Sequence, residues 1–346
     1  MSTHSDSSVA SSAPRTIVNG GTSAAHAVAA VQSGLRAHGA RHIGDLISWN
    51  TNCVDVPRGD ARDVFALVGL EKLIADMDPQ TALNRAVKEA RLRRQDGFTA
   101  MPFKRPNADA AMAWGIYRVE SKDGEAGDAL VLGARVRLIG SLAVVSPPEA
   151  GEPDGECMER GRMIVEHANH LITHVETRDM SGALTATVNA LSGVPLRNRG
   201  GFYLLPPATC EQWASLRPGL ERMGVGPFVI EMFDSPQALQ TAATAARSAL
   251  ESDIVELVAD LEKAKTDGLR SDALERRLAA CESLCARATL FRDVLQDMAA
   301  TIEERAQALK GAFIASMEKP VAAAGVGGVD VVQDDPEAAL FQLDAA

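Results

Sequence analysis

The chain has 346 residues, a hydrophobic fraction of 46% and a formal net charge of -11. That length fills about two domains and supplies enough apolar material for an ordinary core. The acidic total excludes a surface that broadly coats nucleic acid or an anionic membrane, while leaving room for a local basic patch.

Aromatic residues are 4% of the chain, so the core must rely on Leu, Val, Ala, Ile and Met. The five cysteines form no CxxC pair, which suits a reducing compartment and predicts a cytoplasmic protein without a disulfide framework. MSTHSDSSVASSAPRT has no apolar run and predicts no signal peptide. No stretch approaches the roughly 18 apolar residues of a membrane span.

Residues 1–26 are rich in Ser, Ala and Gly and predict a disordered leader, with a helix starting near Ser23. ISWNTNCVDVP reads as extended. Asp60 to Met77 reads as a helix, and a second helix starts at Asp78 and Pro79 and runs to about Gln95. Ala113 to Glu120 is a predicted strand. From Ala129 to Val145, Ala134, Val136 and Leu138 alternate with Arg135, Arg137 and Ile139, which predicts one or two strands bent near Gly140. The short connections imply an antiparallel meander.

Helices are predicted over Cys157 to Val175 and Ser181 to Ser192. A strand at Phe202 to Leu205, a helix at Thr209 to Met223 and a strand from Gly226 follow. Ser235 and Pro236 then start a long helix. Its seam repeats at spacings of three and four, including Leu250, Ile254, Leu257 and Leu261. After TDG at 266–268 the seam resumes with Leu274, Leu278, Cys281, Cys285, Ala288, Arg292, Leu295, Ile302 and Leu309.

The expected fold is α+β: small antiparallel sheet elements with packed helices, followed by a long C-terminal helical hairpin or coiled coil. The expected divisions are a leader at 1–26, an N-terminal α+β region at 27–150, a second at 151–233, an arm at 235–318 and a flexible acidic tail at 319–346. The LRNRGGFYLLPP element and late helical pair resemble uncharacterised proteins of phages and mobile elements, and the resemblance assigns no role to any residue.

No Walker motif, GxGxxG, GxSxG or HExxH occurs, so no catalytic residue and no cofactor is assigned. The leading expectation is a non-catalytic binding or scaffold protein that pairs with itself or another protein through Leu250, Ile254, Leu257, Leu261, Leu274, Leu278, Leu295, Ile302 and Leu309.

A second expectation is a single-stranded DNA-binding protein. Between Arg85 and Arg105 seven basic residues (Arg85, Lys88, Arg91, Arg93, Arg94, Lys104, Arg105) face two acidic ones (Glu89, Asp96), a net of +5. Phe98 and Phe103 are interleaved, and Arg197 and Arg199 add charge before the Gly200–Gly201 turn.

A third is a metal-dependent hydrolase, since His167, His170 and His174 crowd one helix and imidazole suits zinc. In the tail, Leu340, Phe341 and Leu343 sit among acidic residues and predict a partner-docking segment. EAALF there resembles the Leu-Phe peptides that bind the bacterial sliding clamp, without their leading glutamine.

Overall fold

The computed structural model describes residues 21–103, 113–121, 128–196, 201–267 and 271–318. The first half contains α1 (Gly21–Ala37), β1 (His42–Asn50), β2 (Asp55–Pro57), α2 (Arg58–Ala66), α3 (Pro79–Glu89), β3 (Phe98–Phe103), β4 (Ala113–Ser121), β5 (Asp128–Ile139) and β6 (Leu142–Ser146). Then come α4 (Gly155–Thr173), β7 (His174–Glu176), α5 (Thr177–Ala190), β8 (Val194–Pro195), β9 (Tyr203–Leu205), α6 (Pro207–Arg222) and β10 (Gly226–Phe233). The chain closes with α7 (Pro236–Asp267), α8 (Ser271–Leu290), α9 (Arg292–Leu295) and α10 (Asp297–Glu318). No described helix is long and apolar enough to cross a membrane.

The central sheet has the order β10-β1-β9-β8, with every pair antiparallel. Successive side chains of a strand point to opposite faces, and both faces here are apolar. Leu205 joins Ile47 in a core built with Phe65, Leu184, Val188, Trp213 and Leu216 from α2, α5 and α6. Leu204 and Val194 join Ile43 in a second core built with the C-terminal helices. Ile43 and Ile47 are four residues apart and would share a face in a regular strand. A bulge between His42 and Gly44 sends them to opposite cores. Gly44 has φ +139, and a Cβ there would stand 2.3 Å from the Leu205 carbonyl oxygen.

The second sheet, β3-β4-β5-β6, contains the expected meander as β4 to β6, with β5 and β6 turning at Gly140 (φ 61). Its inner face (Phe98, Ile116, Ala134, Val136, Ala143) packs on Leu83 and Val87 of α3 and on Ile164, Ala168 and Leu171 of α4. Gly161 allows that approach, since a Cβ would meet Val145 Cγ2 at 2.6 Å. The division expected at 150 and 151 therefore cuts through a core. β1 also lies between β10 and β9, deep in the second expected region.

The helix expected to reach Met77 stops at Ala66, where Gly69 (φ 74) takes the left-handed conformation. The helix expected to reach Gln95 stops at Glu89, before Arg91 with φ 48. Strand β3 was not expected. It is an edge strand, where Pro102 is tolerated because an edge leaves backbone donors unpaired.

The Ser235 hydroxyl accepts from the Ala238 N–H at 3.2 Å and starts α7 as expected. α7 and α8 run antiparallel, with Asp260 paired to Arg277 and Asp253 to Arg287. The second seam is not one helix. It folds back at Phe291–Gln296, so α10 returns along α8 with Lys310 on Glu282 and Arg292 on Glu303. Leu284 and Phe291 are buried where the spacing had placed Cys285 and Arg292, because the core side runs Cys281, Leu284, Ala288 and Phe291, in steps of three, four and three.

Candidate functional site: an open sheet face and a histidine–carboxylate cluster

α3 and α4, the helices that pack on the meander, lie on its inner face. On the outer face, Met101, Gly115, Arg135 and Ser146 stand side by side across the four strands. Gly115 makes a floor. A Cβ on it would meet Tyr117 at 2.6 Å, Phe103 at 2.8 Å and Leu132 at 3.0 Å. Two aromatic rings thus rest on bare backbone, with centroids 6.4 Å apart. The Arg135 guanidinium stands 4.7 Å over the Phe103 ring and pairs with Glu149. Arg137 is exposed beside it, and Ile139 and Leu142 are both 58% exposed at the far end.

The basic run divides. Lys88, Arg91, Arg93 and Arg94 are exposed and make no ion pair among the described residues. Arg85 is a correction to the expected phosphate-binding set. Its side chain is 12% exposed and donates to Glu89 Oε1 at 2.9 Å, Glu176 Oε2 at 2.9 Å and Asp179 Oδ1 at 2.6 Å. Burial alone would lower its pKa, and the bonds to Asp179 and Glu89 outweigh this and raise it. Phe98 is also unavailable for stacking on a ligand, being buried beneath Arg160 at 3.9 Å and Arg118 at 5.7 Å. Lys104, Arg105, Arg197 and Arg199 lie outside the described residues.

The three clustered histidines do not form one group. His167 Nε2 is 3.1 Å from Glu176 Oε1 and 3.5 Å from Glu89 Oε2. His170 Nε2 is 2.7 Å from Asp55 Oδ1, and its ring stacks on His174 with centroids 4.0 Å apart. The cause is the end of α4. It stops at Thr173, so His174 belongs to β7 and leaves the helical spacing. β7 brings Glu176 to His167, and its pairing with β2 brings Asp55 to His170.

Arg58 fixes that transition and was not singled out from the sequence. It is 8% exposed. Its guanidinium donates to the carbonyls of Leu171 at 2.8 Å, His174 at 2.7 Å, Ile172 at 3.3 Å and Ala75 at 2.8 Å. It thereby satisfies carbonyls that the end of α4 would leave orphaned. Burial lowers its pKa. No local signal marks it, since Leu171 is 113 residues away.

Leu250, Ile254, Leu257, Leu261, Leu274, Leu295, Ile302 and Leu309 are buried, and Leu278 is partly buried, in the core that the C-terminal helices share with the central sheet. These side chains are used within one chain, so pairing between copies through them requires exchange of helices. Cys157 and Cys210 are buried, and burial pushes the Cys157 thiol up to about 11. Burial raises Cys210 further, helped by Asp45, so it is no thiolate nucleophile. Leu340, Phe341 and Leu343 lie outside the described residues.

Residues 161–319 match the model of a family described as a family of unknown function, DUF6744. The match starts within α4 and runs through α10. It covers the clustered histidines and the helical bundle and omits the meander. No curated protein and no solved structure matches the chain.

Proposed function

We propose that this chain is a non-catalytic binding protein that takes single-stranded nucleic acid on the outer face of the β3–β6 meander. The observation that carries the reading is Phe103 and Tyr117 lying on Gly115 with Arg135 over the Phe103 ring. The Tyr117 ring and the Arg135 guanidinium that caps Phe103, on a face that no described helix covers, offer stacking surfaces to unpaired bases, and such stacking contributes about 1–3 kcal/mol per base. Arg137, on that face, and Arg91, Arg93 and Arg94, exposed just before β3, make no ion pair among the described residues and are available to phosphates. The net charge of -11 over the whole chain disfavours nonspecific coating and favours binding on a short local track. Duplex is disfavoured because its bases cannot reach the rings. The five free cysteines suit the cytoplasm.

Fluorescence anisotropy with a labelled 15-nucleotide oligo(dT) tests this. Binding is expected at low salt, with a log–log salt slope of about -3 if roughly four phosphates are neutralised. Phe103→Ala combined with Arg137→Ser is expected to weaken it about tenfold or more. Absence of binding at low salt, or equal affinity for duplex, rejects the reading.

A second reading, a homodimeric scaffold working through the arm, is favoured by Val255 (64% exposed), Val258 (42%) and Ile314 (41%) on the outer side of the bundle. Sedimentation equilibrium decides it. A dimer dissociated by Val255→Glu supports it, and a monomer at high concentration removes it.

A further inference from the structure

The cluster at the junction of α3, α4 and β7 has a geometry that an ordinary ion-pair network does not require. Glu89 and Glu176 each give one oxygen to Arg85: Glu89 Oε1 to Nε, and Glu176 Oε2 to Nη2. Their other oxygens turn toward the same imidazole nitrogen, His167 Nε2, at 3.5 and 3.1 Å. The three donor atoms all lie within 4.8 Å of one another. Arg85 therefore orients both carboxylates from behind, as an outer-shell donor does at a metal centre.

Spacing and charge agree with that role. Donors on one tetrahedral ion with bonds of about 2.1 Å stand about 3.4 Å apart, and on an octahedral ion about 3.0 Å apart. The two distances from His167 fall at these values. Asp179 adds a third carboxylate to the same guanidinium, and Arg178, 79% exposed, reaches Glu89 only at 3.9 Å. Three carboxylates face the part-buried Arg85 guanidinium, with Arg58 acting on Asp179 from behind, and this leaves net negative charge for a cation to neutralise. Asp55, His170 and His174 also lie within 4.8 Å of one another. That group is the weaker candidate, because the Thr173 hydroxyl already lies 2.8 Å from His174 Nδ1 and Asp55 is 58% exposed with no buried cation behind it among the described residues.

We propose that Glu89, His167 and Glu176 bind a divalent first-row transition ion, with Arg85 holding the carboxylates. One imidazole and two carboxylates suit Zn2+ or Mn2+, whereas the hard ions Ca2+ and Mg2+ prefer oxygen alone. Three protein ligands leave coordination positions open. Glu89 also lines a cleft of about 480 Å³ with Thr81, Asn84, Lys88, Arg178 and Asp179, which opens the Glu89 side of the site to solvent.

The test uses the untagged full chain, stripped with chelator and titrated calorimetrically with Zn2+ and, separately, Mn2+. About one equivalent of either is expected to bind. His167→Gln and Glu89→Gln are each expected to weaken binding at least about tenfold, and Arg85→Gln by about 10–100-fold through loss of orientation. His170→Gln should leave affinity unchanged. Pulsed electron paramagnetic resonance of the Mn2+ complex is expected to show coupling to one imidazole nitrogen in the wild type and in His170→Gln and to lose it in His167→Gln, which assigns the ligand. No binding of either ion, no nitrogen coupling, or loss of binding in His170→Gln with retention in His167→Gln overturns the proposal.

Discussion

The two four-stranded sheets are built from similar residues and are used differently. The central sheet is covered on both faces, so Leu204 and Leu205 are each fully buried although they point opposite ways. Among the described residues the meander is covered on one face, so Ala134 and Val136 are buried while Arg137 and Ile139 meet water. A strand buried twice commits every side chain to stability. A strand buried once keeps half of them for other uses. The most exposed aliphatic side chains of the sheets, Ile139 and Leu142, therefore lie on the meander, whereas the most exposed aromatic among the described residues, Phe228, stands on β10, the edge strand of the central sheet.

The sharpest way to break this contrast is to remove volume beneath the central sheet. Trp213, 1% exposed, fills the space under Trp49 and Tyr203. Trp213→Ala is expected to cost about 3–5 kcal/mol in urea unfolding. Next comes the link between the two sheets. Arg58→Met fills the volume but strands four carbonyls, and a loss of about 2–4 kcal/mol is expected. Hydrogen exchange should rise first in β7 and the last turn of α4.

Within the meander, only the inner face should respond strongly. Gly161→Val drives a side chain into Val145 and is expected to cost about 1–3 kcal/mol. A smaller effect belongs to Asp154, whose carboxylate caps α4 by accepting from the Cys157 N–H at 2.8 Å. That bond, with Arg118 beside it, holds the carboxyl below the ordinary range. A depressed folded-state pKa contributes stability that is present above the unfolded value and lost as pH falls through the folded one. Asp154→Ala should remove about 1 kcal/mol at neutral pH and flatten the acid limb of the stability profile. The smallest change is expected from Ile139→Ser on the open face, within about 0.5 kcal/mol of wild type in the same unfolding assay. A large loss there would mean that the face is covered after all.

Part of the candidate site was legible in the sequence. Phe103 stood out within the basic run, and the alternation in β5 placed Arg135, Arg137 and Ile139 together opposite Ala134, Val136 and Leu138. That pattern sorted the two sides of the strand without saying which would stay open. Tyr117 was legible only as a strand residue, because its meeting with Phe103 depends on β3, an edge strand whose FTAMPF sequence carries a weak strand signal. His167 was visible as a candidate ligand, but Glu176 joins it through a turn of the chain after α4, and Glu89 arrives from another helix.

By itself, the sequence determined what acts over a few residues. The Asp78–Pro79 and Ser235–Pro236 helix starts, the turn at Gly140 and the meander's alternation all follow from capping, ring geometry and the two-residue strand period. Only the tertiary structure decided the rest. Arg85 pairs with Glu176 and Asp179 91 and 94 residues away. β1 finds β10 across the chain, and the second helical seam folds at Phe291–Gln296 to close a bundle on the central sheet. Such contacts depend on which faces are brought together, and a heptad or a basic run has the same local spacing whether its partner is solvent, another copy or a carboxylate elsewhere in the chain.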